Sequence, residues 1–128
     1  MLFVCAENAG RSQMSEAYFN KYQKGGWLAE SAGTIPAKQI NPTVIEALRE
    51  DGVEMVKKVP TLFNPASIGD YDRVISYGCL VKEFFPVEVQ KKIEEWDIED
   101  PKDKPVGEVV RIRDAVKGKV VALIAELN

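Results

Sequence analysis

The chain has 128 residues, of which 45% are hydrophobic and 29% are charged, and its formal net charge is −3. This composition is ordinary for a globular protein and predicts a single domain over residues 1–128, with no reason to expect nucleic acid or a membrane as a partner. Histidine is absent and there are only two cysteines. Cys-His and Ser-His-Asp catalysis are therefore excluded, and no metal centre such as a zinc site is expected.

The cellular location is predicted from the same features. No apolar run approaches the ~18 residues that a membrane-spanning helix needs. The chain does not start with a basic segment followed by an apolar core and a cleavage site, so no secretion signal is expected. Two cysteines in a chain of this size fit a reducing compartment better than a disulfide-stapled scaffold. We therefore expect a cytoplasmic protein.

The first half of the chain alternates strand and helix patterns. Met1–Val4 is an apolar run that predicts a buried strand, and a helix is expected over Ser12–Gln23, ahead of two glycines. Trp27–Ser31 predicts a second strand. Asn41–Gly52 predicts a second helix, with asparagine as N-cap and proline in the first helical position. A strand, a helix and a strand at this spacing predict a parallel pair of strands with a right-handed crossover.

The second half continues the alternation less regularly. Val53–Tyr71 is expected to be an irregular connection with a short helix near Pro65–Ile68. Strands are predicted over Arg73–Ser76 and Lys92–Trp96. The apolar residues of Val106–Leu127 recur every three or four positions, which predicts a long amphipathic helix.

Together these elements predict an α/β fold, a small doubly wound four-stranded parallel sheet with helices on both faces. In such sheets ligands bind beyond the carboxyl ends of the strands. Three segments follow predicted strands: the stretch that begins at Cys5, the Gly78-Cys79 turn and the loop after Trp96. We expect these segments to meet at one edge of the sheet.

The stretch Cys5–Ser12 lies between the first strand and the first helix. Backbone N–H groups converge at such a helix start, and the positive end of the helix dipole favours an anion there. A thiol in that position is expected to ionise easily, since thiols at helix N-termini or beside cations titrate at roughly 3.5–7.5. Cys5 is therefore predicted to be a nucleophile that attacks a bound oxyanion.

Other residues of this stretch are predicted to hold the anion. Arg11 has a planar guanidinium that can bind two oxygens of a tetrahedral oxyanion at once. Gly10 lets the loop curl with its N–H groups inward, and Asn8 can adopt a left-handed backbone at low cost. Glu7 is expected to point outward, because a carboxylate repels an anion. The predicted oxyanion-binding residues are Glu7, Asn8, Ala9, Gly10, Arg11 and Ser12.

The pattern Cys-x5-Arg-Ser directly after an N-terminal strand resembles the signature loop of the low-molecular-weight protein tyrosine phosphatases. Asn8, Gln13 and Glu16-Ala17 are closer to the thioredoxin-coupled arsenate reductases, which share that fold, whereas the phosphatases usually have proline at the place of Gln13. The resemblance implies that Asn8 locks the loop through side-chain hydrogen bonds. It also implies that Ser12 donates a hydrogen bond to the thiolate, a role compatible with that of a helix-start residue.

The general acid must be a carboxylate because the chain has no histidine. The segment from Trp96 to Asp100-Pro101 resembles a segment of the arsenate reductases, and in the phosphatases the matching aspartate protonates the leaving group. Asp100 is therefore the predicted acid, with Asp97 and Asp103 as alternatives. Asp-Pro also commonly starts a turn, so a purely structural role is the competing interpretation. The phosphatases commonly follow Asp-Pro with aromatic residues, where this chain has Lys102 and Asp103.

The second cysteine, Cys79, departs from the pattern of the resembled reductases. Those enzymes pass oxidation from the nucleophile to two further cysteines, whose places hold Gly78 and Phe85 in this chain. A second loop cysteine that many relatives carry is replaced by Gly10. Three interpretations stay open: Cys79 resolves Cys5 directly, an external thiol does so, or Cys79 is an inert buried thiol.

The resemblance also implies a monovalent cation beside the loop, because those reductases bind one. Asn8, Glu16 and Ser31 match three of its ligands, and Thr61 stands where the fourth, an aspartate, is expected. The departure at Thr61 makes this the weakest of the predicted sites.

The predicted function is that of an arsenate reductase. Cys5 attacks arsenate, an external thiol of the thioredoxin or glutathione type releases arsenite, and no tightly bound cofactor is expected. The alternative is a phosphatase that hydrolyses phosphate monoesters through a cysteinyl phosphate. Two further alternatives are a phosphocysteine carrier and a catalytically silent oxyanion-binding module. The expected ligands are small oxyanions such as arsenate, phosphate and sulfate.

Overall fold

The computed structural model describes residues 1–55 and 59–127. Its centre is a sheet of four parallel strands in the order β2-β1-β3-β4, which confirms the predicted sheet. Neighbouring strands are in register, with Cys5 paired with Gly33 and Val4 paired with Ser76. The strands are β1 (Leu2–Cys5), β2 (Glu30–Gly33), β3 (Val74–Ser76) and β4 (Ile93–Glu95).

The three longer helices follow the sequence patterns, whereas the short helix Val87–Gln90 and the 3₁₀ segment before it were not predicted. Asn41 caps the second helix, because its Oδ1 accepts a hydrogen bond from Thr43 N at 3.0 Å. The short helix predicted near Pro65–Ile68 is present as a 3₁₀ turn, and the long C-terminal helix has the predicted bounds. The α-helices are α1 (Arg11–Tyr22), α2 (Pro42–Glu50), α3 (Val87–Gln90) and α4 (Val106–Leu127), and the 3₁₀ segments are Pro65–Asp70 and Lys82–Phe84.

The second strand begins later than the predicted Trp27–Ser31. Trp27 N donates to Gln23 Oε1 at 3.0 Å and Ala29 N donates to Asn20 Oδ1 at 2.9 Å, so side chains from the end of α1 satisfy these amides instead of β1. Pairing with β1 starts only at Glu30, opposite Leu2. Of the irregular connection predicted from Val53 to Tyr71, residues 56–58 lie outside the described residues.

The two faces of the sheet are covered differently. Alternate strand residues such as Phe3 and Ile75 pack against α1, α2 and α4 in the larger core. Their neighbours Leu2 and Val74 pack on the opposite face in a smaller core, which includes Ile68 from the first 3₁₀ segment. Helical segments therefore cover both faces, as predicted.

The order of the strands determines at which edge of the sheet a ligand site is expected. From β1 the chain crosses through α1 to β2 on one side and later returns to β3 on the other side of β1. The connections diverge at the carboxyl end of β1, which is where open α/β sheets bind ligands. In the described part of the chain, no helix has both the length and the apolar character required to cross a membrane.

Candidate active site

The loop of residues 5–12, called the Cys5 loop below, surrounds one buried thiol. Cys5 ends β1 and is only 3% exposed. Its Sγ lies 2.9 Å from Ser12 Oγ and accepts a hydrogen bond from Asn8 N at 3.3 Å. Hydrogen bonds to the charged form of a group favour that form, so both donors are suited to stabilising a thiolate.

Asn8 ties the Cys5 loop to its surroundings. It has a left-handed backbone with φ of 52°, and the side chain is fully buried. Its Oδ1 accepts hydrogen bonds from Gln13 Nε2 at 3.0 Å and Thr61 N at 2.9 Å, while its Nδ2 donates to Ser12 Oγ at 2.7 Å and Ser31 Oγ at 3.0 Å. Each donor and acceptor site of this amide is used, which holds the loop in one conformation.

Gly33, at the end of β2, lies directly against the Cys5 loop. A Cβ atom at this position would be 2.7 Å from Ala6 O and 2.8 Å from Asn8 N. Any other residue would push away the amide that donates to Cys5 Sγ. Gly33 was not among the predicted site residues, although the contact makes a glycine necessary here.

Free amides and a pocket lie in front of the thiol. The first intrahelical hydrogen bond of α1 runs from Met14 N to Gly10 O at 2.9 Å, so the earlier amides of the helix have no intrahelical acceptor. A pocket of about 310 Å³ opens beside them. It is lined by parts of the Cys5 loop, Ala37, residues 39–43 and residues 100–104, and none of its described lining residues is aromatic.

Arg11 lies at the pocket with an unsatisfied donor. Its Nη1 donates to Ile98 O at 2.8 Å, and its guanidinium lies 5.3 Å from the centre of the Tyr77 ring. Its Nε is buried and has no hydrogen-bond partner within residues 1–55 and 59–127. A buried, unpaired donor costs about 1–3 kcal/mol, so such a group needs an explanation. An oxyanion in the pocket would supply the missing acceptor.

Comparison with known proteins assigns the family. The sequence model of the low molecular weight phosphotyrosine protein phosphatases matches residues 1–128. The chain belongs to this family. An arsenate reductase from Archaeoglobus fulgidus has a similar structure, with a TM-score of 0.81 and 33% identity, covering 97% of this chain and 98% of that one.

Two relatives of this chain carry reductase names. The "Arsenate reductase 2" of Staphylococcus haemolyticus is 32% identical over 116 residues, which is 90% of this chain and 88% of the relative. The "Glutaredoxin arsenate reductase" of Synechocystis is 32% identical over 131 residues, which is 100% of this chain and 98% of the relative. The predicted family resemblance is therefore confirmed.

In this member of the phosphatase family, residues 97–105 form the Asp100 loop on the other side of the pocket. Asp100 Oδ2 lies 3.7 Å from Arg11 Nη2, and its side chain is 50% exposed. Its Oδ1 accepts a hydrogen bond from Lys102 N at 3.0 Å, so the carboxylate also stabilises the local turn. Both interpretations of Asp-Pro are thus compatible. Of the two alternatives, Asp103 lines the pocket and Asp97 does not.

Glu7 lies at the rim of the pocket. Its Oε2 forms an ion pair with Lys102 Nζ at 3.0 Å, which joins the Cys5 loop to the Asp100 loop. The residue lines the pocket and its side chain is 32% exposed, so the expected outward orientation describes it only in part. Lys102 and Tyr77 had no predicted role in binding. Both contacts depend on segments far apart in the chain.

Cys79 packs on the face of the sheet opposite Cys5. Cys5 belongs to the larger core, whereas Cys79 packs against the smaller one. Its Sγ lies 3.7 Å from Ser76 Oγ. Burial is the main cause that raises the pKa of the Cys79 thiol, and the negative charge of Cys5 adds to the increase. Burial thus favours the protonated thiol, and Cys79 is not among the described residues that line the pocket.

The three residues of the implied cation site are close together but are arranged for hydrogen bonding. Ser31 Oγ accepts from Asn8 Nδ2 and donates to Glu16 Oε1 at 2.7 Å. Thr61 N can only donate, which fixes the amide of Asn8 with its oxygen away from Ser31. Asn8 has no lone pair left for a metal ion, so this donor set does not fit a monovalent cation, and no step below involves one.

Proposed function

We propose that this protein is an arsenate reductase. The observation that carries the proposal is the buried Cys5 thiol, which accepts a hydrogen bond from Asn8 N, lies 2.9 Å from Ser12 Oγ and shares a pocket with the Arg11 Nε–H, which is unpaired among the described residues. This arrangement suits a tetrahedral oxyanion. Relatives that cover most of the chain are named arsenate reductases, and none of the described residues that line the pocket is aromatic, whereas binding of an aryl phosphate would favour an aromatic lining.

The first step joins the substrate to the enzyme. The Cys5 thiolate attacks arsenic, a sulfur–arsenic bond forms, and one arsenic–oxygen bond breaks. Arg11 and the free amides at the start of α1 hold the remaining oxygens. Asp100 gives its proton to the departing oxygen, which leaves as water. Ser12 donates a hydrogen bond to the sulfur whenever it carries charge.

External thiols complete the reduction because Cys79 is directed to the other face of the sheet. One thiol displaces a second oxygen from arsenic, which leaves as water. Another thiol then attacks the sulfur of the first, forming a disulfide, and the electron pair of that sulfur–arsenic bond reduces arsenic to the trivalent state. Water displaces Cys5 and arsenite leaves. The balance is one arsenate and two thiols converted to arsenite, one disulfide and one water.

The reductant is a small thiol of the glutathione type. Cys5 is only 3% exposed, so an adduct on it is accessible to a small molecule through the pocket and not to the surface of a folded protein. A thioredoxin-type or glutaredoxin-type protein then acts on the disulfide that is released. A reaction that consumes thiols requires a reducing compartment, which agrees with the predicted cytoplasmic location.

The test measures arsenite formation and thiol oxidation with glutathione and with thioredoxin as separate reductants. Cys5→Ser should abolish arsenite formation, whereas Cys79→Ser should keep kcat within about twofold of wild type, because a thiol held on the opposite face makes no contact with the adduct. Loss of arsenite formation in Cys79→Ser would instead show that Cys79 takes part in the reduction. Absence of arsenite with both reductants would refute the reductase function.

A phosphatase that hydrolyses phosphate monoesters is the second candidate, favoured by the family match over residues 1–128. It shares the first step, after which water hydrolyses a cysteinyl phosphate. Hydrolysis of p-nitrophenyl phosphate, measured beside the arsenate assay, distinguishes the two. A phosphocysteine carrier or a silent binding module is disfavoured, because Arg11 and Asp100 lie together at the pocket and would promote turnover.

A further inference from the structure

Glu7 presents a problem for any oxyanion site. It lies in the Cys5 loop and lines the same pocket as Cys5 and Arg11. A carboxylate at this place repels an arsenate or phosphate ion in the pocket, and the repulsion is strong where water is partly excluded. The chain nevertheless has this carboxylate two residues after the nucleophile, so its charge must be compensated.

Lys102 supplies the compensation. Its Nζ lies 3.0 Å from Glu7 Oε2, and its backbone N–H donates to Asp100 Oδ1 at 3.0 Å. One residue therefore connects the rim of the Cys5 loop with the carboxylate of the Asp100 loop. A second contact brings the same loops together, since a Cβ on Gly10 would lie 2.8 Å from Pro101 Cγ.

We propose that Lys102 is a positioning residue for oxyanion binding: its ammonium group neutralises Glu7 and holds the Asp100 loop against the pocket. Lys102 lines the pocket, and in this proposal its effect on the oxyanion comes from its ion pair with Glu7 and not from contact with the reacting atoms. The proposal concerns the binding of the oxyanion and is therefore independent of whether reduction or hydrolysis follows.

The proposal makes predictions of opposite sign for its two residues. Lys102→Met leaves the Glu7 carboxylate uncompensated and should weaken oxyanion binding by roughly three- to fivefold, as expected for an exposed ion pair. Glu7→Gln leaves an unopposed ammonium group and should strengthen binding by up to about twofold. The double variant should return to within about twofold of wild type.

The probe is inorganic phosphate, and the readout is the phosphate concentration that half-protects Cys5 from alkylation by iodoacetamide. This measurement needs no turnover, so its failure is distinct from failure of the proposed reductase reaction. Lys24→Met is the matched control, because it removes the same charge from the far end of α1. That end is about 18 Å from the start of the helix, beyond the screening length in physiological salt.

The outcomes are decisive in each direction. Weaker protection in Lys102→Met, restored by Glu7→Gln and reduced at high salt, supports the proposal. If the role of Lys102 were purely structural, removal of the neighbouring carboxylate would not reverse the loss of protection. The proposal is overturned if Lys102→Met matches Lys24→Met, if Glu7→Gln weakens protection, or if the double variant is no better than Lys102→Met.

Discussion

The Cys5 loop and the Asp100 loop face the same pocket but are constructed differently. The Cys5 loop is held by buried hydrogen bonds, with Asn8 and Ser12 both completely inaccessible. The Asp100 loop is held by the hydrogen bond from Arg11 Nη1 to Ile98 O and by several exposed ion pairs, and the side chain of Lys102 is 59% exposed. Buried polar contacts fix most of the Cys5 loop, whereas water competes for the ion pairs that attach the Asp100 loop.

This difference separates two tasks. Oxyanion binding requires donors that are fixed before the substrate arrives, because preorganised dipoles need no rearrangement during the reaction. The acid has to admit a substrate, release a product and exchange protons with solvent, so an exposed carboxylate on a loosely attached loop is suitable. Substitutions of the buried residues of the Cys5 loop and of the residues beneath it should therefore be costly, whereas those at the edge of the Asp100 loop should be tolerated.

Arg11→Lys should have the largest effect. Lysine keeps the charge but loses the planar fork and the buried Nε–H donor. We expect kcat/KM for arsenate to fall by about 10²–10³-fold, the usual cost of losing an oxyanion donor. Arg73→Lys, in an exposed ion pair with Glu94, is the control and should stay near wild type. Near-normal turnover in Arg11→Lys would contradict two-point binding by the guanidinium.

Asp100→Asn should have the next largest effect. The amide keeps the size of the side chain but cannot supply the proton, so kcat should fall by roughly 10²-fold. Binding of phosphate, measured by protection of Cys5, should not weaken, because the substitution removes a carboxylate that lines the pocket. Asp103→Asn is the comparison, since that carboxylate also lines the pocket. A larger loss of kcat in Asp103→Asn than in Asp100→Asn would move the acid to Asp103.

Gly33→Ala tests whether the Cys5 loop depends on the surface beneath it. The new methyl group would lie 2.8 Å from Asn8 N and displace the amide that donates to Cys5 Sγ. We expect roughly a tenfold loss of kcat/KM and a shift of Cys5 alkylation to higher pH. Gly118→Ala, exposed on α4 with open space around it, should keep full activity. Unchanged alkylation in Gly33→Ala would show that the loop adapts.

Glu99→Gln should have the smallest effect. Glu99, whose side chain is 45% exposed, accepts a hydrogen bond from Arg111 at 2.7 Å and forms an ion pair with Lys104 at 3.0 Å. Activity should change by less than about twofold and Tm should fall by roughly 1–2 °C at neutral pH. Such a small effect is expected because water competes for exposed ion pairs.

The pH dependence of that Tm difference follows from the charge on Glu99. The hydrogen bond from Arg111 and the one from Lys104 lower the pKa of Glu99. The stabilisation is therefore complete above the ordinary glutamate pKa and is lost as pH falls through the lowered value. The Tm difference between wild type and Glu99→Gln should disappear in acid. A difference that persists there would indicate a packing defect.

Much of the fold was predictable because the chain gives local signals that agree with its tertiary structure. The three-or-four periodicity of α4 and the Asn41-Pro42 start of α2 are encoded in neighbouring residues. The second strand was misplaced because an apolar run such as Trp27–Ala29 does not reveal that side chains at the end of α1 occupy its amides. Competition for a donor becomes visible only when both segments are in place.

The chemistry around Cys5 is contained in one contiguous stretch, so residue types and spacing alone predict a nucleophile, an arginine and a serine at a helix start. Because these groups are a few residues apart in the chain, they lie close together in space in any fold that has a strand before them and a helix after them. What only the tertiary structure decided is which distant groups meet them: Gly33 beneath the loop and Lys102 on Glu7. The tertiary structure also decided the position of Cys79, because this residue, in the turn after β3, packs on the opposite face of the sheet. Such contacts depend on the order and register of the strands, and a local sequence pattern predicts neither the order nor the register.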